Sequence, residues 1–229
     1  MTSTSRGNLY IVATPIGNLG DISSRAIEIL KSVELIAAED TRNSGRLLAH
    51  LSIETRQTSY HDFNEKEKAP ELVKMLLSGS SIALISDAGT PLLSDPGYRL
   101  VKLAREAGID IIPIPGPSSI LAALVVSGFP TDRFSFEGYL PRTTGKLKNR
   151  LEELKNDPRT MIFFETQFRI LKSLPAMLEI FGDRDILIAR ELTKKFEEKI
   201  RGRISEIISA LKDRNLKGEL VIVVPGTDK

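Results

Sequence analysis

The chain has no cysteine among its 229 residues and only two histidines, His50 and His61. Without thiols it forms no disulfide, no iron–sulfur cluster and no thiolate zinc site, and two histidines are too few for a histidine-rich metal centre. A metal would have to be held by carboxylates, and none is expected. No stretch approaches the roughly 20 apolar residues of a membrane span, and the leading MTSTSRGN carries no apolar signal core, so the expected address is the cytoplasm. Charge of one sign is also missing: 32 basic residues face 30 acidic ones, a net charge of +2. Total charge therefore gives no argument for a nucleic-acid partner, although its distribution still can. There is no low-complexity tract and no usable internal repeat. What remains, 41% hydrophobic and 27% charged residues, is enough to build one or two domains with ordinary cores.

Short apolar runs recur through the first half, and each empties into an unusual loop. Leu9 to Ala13 breaks into Thr14-Pro15-Ile16-Gly17-Asn18-Leu19-Gly20-Asp21. Pro15 stands where a dinucleotide-binding loop would need glycine, and no G-x-G-x-x-G aligns. Asp21 is expected to cap a helix with Ile22, Ala26, Ile27 and Leu30 on one face. Glu34 to Ala38 ends in Glu39-Asp40-Thr41-Arg42, before a helix carrying Leu47, Leu48 and Leu51. A strand near 55–58 gives way to Ser59-Tyr60-His61-Asp62-Phe63-Asn64-Glu65 and a further amphipathic helix.

The fourth run, Ile82 to Ile85, feeds SDAGTPLLSDPG at 86–97. Asp87 is the first charge after this strand, Gly89 allows close backbone approach, and Asp95-Pro96 resembles an N-cap followed by a first helical proline. The fifth, Ile109 to Ile114, runs into Pro115-Gly116-Pro117-Ser118-Ser119, followed by 120–126, which is apolar on every side and reads as a buried helix. Strands alternating with helices in this way predict a parallel sheet covered on both faces, with ligands bound beyond the carboxyl ends of its strands, where the polar and glycine-rich residues collect.

After Phe129 a second αβ unit is expected, with strands near 134–136, 161–164, 186–189, 199–201 and 219–224. Too few helices separate them for an all-parallel arrangement, so this sheet is expected to be mixed. RTTGKLKNR at 142–150 and KKFEEKIRGR at 194–203 are locally basic, either as solvated faces or as a bed for an anionic partner.

TPIGNLGD at 14–21, AAEDTR at 37–42, YHDFNE at 60–65, the loop at 86–97, PGPSS at 115–119, FEGYLPR at 136–142 and RELTKKFEE at 190–198 together resemble the tetrapyrrole methylase family. This is the class III of S-adenosylmethionine-dependent methyltransferases, and the likeness is to its branch acting on small-subunit ribosomal RNA. It spans nearly the whole chain, which stops soon after its last strand where many members continue into a small helical extension. The resemblance implies an α/β architecture of two αβ domains, 1–116 with a doubly wound, mainly parallel sheet and 117–229 with a mixed sheet. It places S-adenosyl-L-methionine in the cleft between them, and it implies a homodimer acting on small-subunit ribosomal RNA or the small ribosomal subunit. By motif, Pro15, Asp87, Thr90, Ser118, Ser119, Glu165 and Leu192 would line the cofactor. The first five also stand in strand-end loops; Glu165 and Leu192 rest on the resemblance alone, and Glu165 is equally readable as a structural ion-pair acid.

Transfer to the ribose 2′-hydroxyl of a cytidine, the reaction the resemblance implies, needs a group to take the hydroxyl proton. Glu39, Asp40 and His61 are the candidates, the adjacent acids ahead of the histidine because two carboxylates offer a base or an orienter. Arg42 is placed to hold a phosphate of the RNA, with Lys146, Lys148 and Arg150 as part of its bed. Two other readings stay open: a porphyrinoid methyltransferase with the same fold and cofactor, and a non-catalytic ribosome-assembly factor.

Overall fold

The computed structural model describes residues 6–214 and 216–227. The chain divides into two compact units, one ending at Ser118 and the other beginning at Ser119. The first unit alternates strictly: β1 (Leu9–Val12), α1 (Ser24–Ser32), β2 (Leu35–Ala38), α2 (Thr41–His50), β3 (Gln57–Ser59), α3 (Glu65–Leu77), β4 (Ile82–Ile85), α4 (Tyr98–Glu106) and β5 (Ile111–Ile114). Its five strands pair in the order β3-β2-β4-β1-β5, and every pairing is parallel.

The period of two along each strand explains the double winding. In β4, Ile82 and Leu84 face one way, packing with Leu72, Leu76, Leu100 and Ala104 of α3 and α4. Ala83 and Ile85 face the other, with Ala26, Leu30 and Leu48 of α1 and α2. Both faces are thus spent on packing, leaving the strand ends for chemistry. At one edge, β5 contains the exposed Pro113 opposite Ile11.

Two helix starts differ from the sequence expectation, and both for local reasons. Asp21 does not cap α1. The Asn18 side chain accepts the Gly20 N–H at 3.0 Å and tightens Leu19–Asp21 into a 3₁₀ turn, and the helix begins later, capped by Ser23 Oγ, which accepts the Ala26 N–H at 3.1 Å. Likewise Asp95-Pro96 does not open α4, which starts at Tyr98 behind Gly97. The Asp95 carboxylate is instead engaged with the Ser86 hydroxyl. Because Gly97 has no side chain to cap with, the hydroxyl of Tyr60, arriving from the loop after β3, accepts the Leu100 N–H at 3.2 Å.

The second unit contains α5 (Ser119–Ser127), β6 (Phe134–Tyr139), α6 (Thr144–Leu154), β7 (Thr160–Thr166), α7 (Ile170–Phe181), β8 (Asp185–Arg190), β9 (Glu198–Arg203), α8 (Ile204–Leu211) and β10 (Glu219–Val224). Its sheet runs β6-β7-β10-β8-β9; β6 pairs with β7 in parallel and the other pairings are antiparallel, so the sheet is mixed as expected. Met161, Phe163, Ile188 and Ile222 face a core closed by Leu151 of α6 and Leu174 of α7. A register shift in β6 between Phe136 and Gly138 marks a bulge at Glu137. Helix α5 lies against β8 and β10, but it is not buried all round: Leu121 and Val125 are exposed on one side. Apolar residues on every side of a helix fix its hydrophobicity, not the number of faces its own chain covers. Among the described residues, no helix is long and apolar enough to cross a membrane.

Candidate functional site

At the carboxyl edge of the first sheet, three loops are stitched together. Thr14, just past β1, exchanges backbone hydrogen bonds with Gly89 at 2.9 and 3.0 Å, and its buried hydroxyl donates to the Ser86 carbonyl at 3.2 Å. Thr90 Oγ1 donates to the Pro117 carbonyl at 3.3 Å, which ties in the loop after β5. Gly89 sits at φ +80°, where a side chain is strained, and a Cβ there would come within 3.3 Å of Ile16. The same loop holds Leu92 and Ser94 at φ 75° and 70°, conformations that non-glycine residues adopt only when surroundings enforce them. The loop is thus built for shape.

The two neighbouring acids after β2 have separate roles. Asp40 is the N-cap of α2: its Oδ1 accepts the Arg42 N–H at 2.8 Å, and its carboxylate also grips the Arg42 guanidinium at 3.0 and 2.6 Å. Those hydrogen bonds lower its pKa to about 2. Glu39 is half-buried, and burial first, then the negative charge of Asp95, pushes its pKa up. Its Oε2 accepts the Asp87 N–H at 3.4 Å. Asp87 itself is exposed and joins the β2 and β4 loops, its Oδ1 accepting the Asp40 N–H at 3.2 Å and its Oδ2 the Asn43 side-chain amide at 2.8 Å. Glu39, Asp40, Arg42 and Asp87 therefore form one connected group.

His61 lies one strand further out. Its backbone N–H donates to Asn64 Oδ1 at 2.9 Å, while its buried ring Nδ1 has no hydrogen-bond partner among the described residues. Pro15 is buried at the start of the first loop. Ser118 ends the first unit and Ser119 opens α5. Among the described residues, no group of three or more His, Asp or Glu side chains is placed to hold a metal ion.

In the second unit, Glu165 is buried and fully engaged. It accepts the Ser173 hydroxyl and the Thr166 N–H (2.9 Å) and lies 3.4 Å from Arg169, so its carboxylate braces the β7–α7 turn. Leu192 is buried in the β8–β9 loop between Glu191 and Thr193, at φ 49° and 65°, and the Thr193 hydroxyl is buried without a partner among the described residues. That strain and that orphaned hydroxyl are a sign of function that no sequence pattern gives. Two of the four basic residues of the 142–150 stretch are neutralised: Lys148 pairs with Glu179 at 2.6 Å, and Arg150 with Glu137 and Glu153 at 2.5 and 2.6 Å. Lys146 is exposed and has no ion-pair partner among the described residues.

Residues 8–208 match the family model for tetrapyrrole (corrin/porphyrin) methylases. The chain belongs to the tetrapyrrole methylase family. Within it, this tetrapyrrole methylase is 53% identical over 222 residues to Ribosomal RNA small subunit methyltransferase I of Vibrio cholerae serotype O1, covering 95% of this chain and 77% of that one. It is 47% identical over 225 residues to the protein of the same name from Escherichia coli O157:H7, covering 97% and 79%. Among solved structures it is similar in fold to a cobalt precorrin-4 methyltransferase, with a TM-score of 0.69 at 16% identity, covering 95% and 94% of the two chains. It is likewise similar to a uroporphyrin-III C-methyltransferase from Thermus thermophilus complexed with S-adenosyl homocysteine, with a TM-score of 0.65 at 18% identity, covering 95% and 97%.

The residues present fit a cofactor of that type. The exposed Asp87 carboxylate is an acceptor for hydroxyl or ammonium groups, and the buried Gly89 two residues on, its N–H and carbonyl both bonded to Thr14, fixes the turn that presents it.

Proposed function

We propose that this chain is an S-adenosylmethionine-dependent methyltransferase of small-subunit ribosomal RNA, acting on the ribose 2′-hydroxyl of a cytidine. The observation that carries the reading is identity of about half with proteins of that name over 95% or more of the chain, which includes the loops after β1, β2, β3 and β4. When bound, the cofactor supplies a methyl group on a sulfonium, a good leaving group. The chain's own residues then have two tasks, to hold the acceptor in line and to take its proton. Positioning alone contributes up to about 7–11 kcal/mol in favourable cases.

Glu39 takes the proton. Its raised pKa makes it a better base than an ordinary carboxylate, and its neighbour Asp40, held down by Arg42, is a poor one. Asp40 instead caps α2 and aims the Arg42 guanidinium, whose exposed fork is the phosphate contact. Asp87 and Thr90 serve the cofactor, with Pro15, Ser118, Ser119 and Leu192; Glu165 supports its turn from within. The protein works in the cytoplasm as a homodimer, a state favoured by the exposed Leu121 and Val125, one helical turn apart on α5.

Incubating the protein with labelled S-adenosylmethionine and small-subunit ribosomal RNA, then digesting the RNA for mass analysis, tests the reading. A single ribose-methylated cytidine is expected. Methyl transfer to a porphyrinoid instead, or tight RNA binding without turnover, overturns it.

A further inference from the structure

Two aromatic rings of the first unit stand in solvent at the ends of tightly braced elements. Phe63 is 98% exposed and Tyr98 72% exposed. A lone exposed aromatic is ordinary on a protein surface. These two are set apart by what holds them. Phe63 is at the tip of the turn between β3 and α3, where the backbone N–H groups of Asn64 and Glu65 both donate to the His61 carbonyl, at 3.0 and 2.9 Å. The Asn64 side chain crosses that turn, accepting the His61 N–H at 2.9 Å and donating to the Ser59 carbonyl at 3.1 Å. The His61 ring meets the Phe63 ring edge-on, with centroids 6.0 Å apart. The start of α4, which carries Tyr98, is fastened to the same turn twice: Leu100 N–H to Tyr60 Oη at 3.2 Å, and Arg99 Nε to Glu65 Oε1 at 3.2 Å.

Both rings therefore belong to one rigid assembly at the carboxyl edge of the parallel sheet, the edge that also carries Glu39, Arg42 and Asp87. The charges nearest in sequence to Phe63 are the carboxylates Asp62 and Glu65, which repel phosphate and do not suit a backbone track. They do suit a base: every nucleobase offers a π-face to a phenyl ring, and a carboxylate accepts from an exocyclic amino group such as that of cytosine.

We propose that Phe63, with Tyr98 as a second platform, stacks on unpaired bases of the substrate RNA and so presents the acceptor ribose to the edge. The proposal rests on ribosomal RNA being the substrate, and its test separates the two. The chain contains no tryptophan, so Phe63→Trp introduces a single fluorescent reporter at an exposed position that carries no core packing. Transcribed small-subunit ribosomal RNA is expected to quench that emission saturably. Phe63→Ala is expected to weaken RNA binding by about 5- to 150-fold, with Phe63→Tyr near wild type and cofactor affinity unchanged in all. Emission that stays constant at RNA concentrations where the wild type turns over, or wild-type RNA affinity in Phe63→Ala, overturns stacking and leaves the functional reading standing. Emission that changes with protein concentration alone gives the ring to a second copy of the chain and also overturns it. A wild type that methylates no ribosomal RNA brings down the functional reading, and stacking with it, before any variant is made.

Discussion

Tyr60→Phe isolates one hydroxyl that closes a helix from outside it. In the wild type the buried Leu100 N–H, an unpaired donor of the first turn of α4, is satisfied by Tyr60 Oη because Gly97 has no side chain to do it. Removing the hydroxyl keeps the ring in the core and leaves that N–H without an acceptor, a loss of about 1–3 kcal/mol. For a chain of this length each kcal/mol lowers the melting temperature by roughly 2–4 °C, so a fall of about 2–12 °C is expected in a thermal melt followed by circular dichroism. The pH dependence provides an internal check. Burial, then the Glu65 charge, raises the Tyr60 pKa from 10.0 to about 12. A folded-state pKa above the unfolded one means that the stabilisation is complete below pH 10 and is lost as pH climbs toward 12. The gap between wild type and variant should therefore be widest at neutral pH and narrow above pH 10. A variant melting within about 1 °C of wild type at neutral pH would refute the capping argument.

Glu39→Gln should lower turnover by about 10²–10⁴ with RNA and cofactor affinities within a few-fold, whereas Asp40→Asn, which keeps a good cap but loosens the hold on Arg42, should weaken RNA binding and leave turnover at saturating RNA near wild type. Since the base must be ionised and the Glu39 pKa is raised, wild-type turnover should fall as pH drops through a value above the usual carboxylate range; a pH–rate profile unchanged in Glu39→Gln would remove Glu39 from that role. Asp87→Ala should weaken cofactor binding in calorimetry, and equal affinities would take Asp87 out of the site. Lys146→Ala should make the slope of log RNA affinity against log salt shallower by about 0.7, the share of one phosphate on single-stranded RNA, while Lys148→Ala, whose ammonium already faces Glu179, should change it less. Equal slopes for the two variants would count against the pairing argument.

The sheets were legible because a strand covered on both faces has to be apolar at every position, and Ile82 to Ile85 could be little else. Strand-end loops announced themselves by glycine, proline and acids in places where packing gives no reason for them. What could not be read was how polar groups share partners. Asn18 taking the Gly20 N–H displaced the start of α1 past Asp21, and Ser86 drew Asp95 away from α4. Adjacent Glu39 and Asp40 are equivalent as letters, yet one is gripped by an arginine two residues on and the other is half-buried among acids. Within the 142–150 stretch, Lys148 and Arg150 count as free charges only until Glu179 and Glu137, distant along the chain, arrive beside them, while Lys146 stays exposed.

Pro113 has a consequence for how the first sheet ends. Leu9 N–H bonds to the Asp110 carbonyl and Ala13 N–H to the Ile114 carbonyl, so the even-numbered residues of this edge face β1 and the odd-numbered ones face away. Pro113 is on the outward side, where an incoming strand would look for a donor and find a ring instead. An open parallel edge is a template for any extended chain, including a nascent copy of this one. With one residue the β5 edge is blunted, and Pro113→Val would return to it an outward donor that native packing never uses.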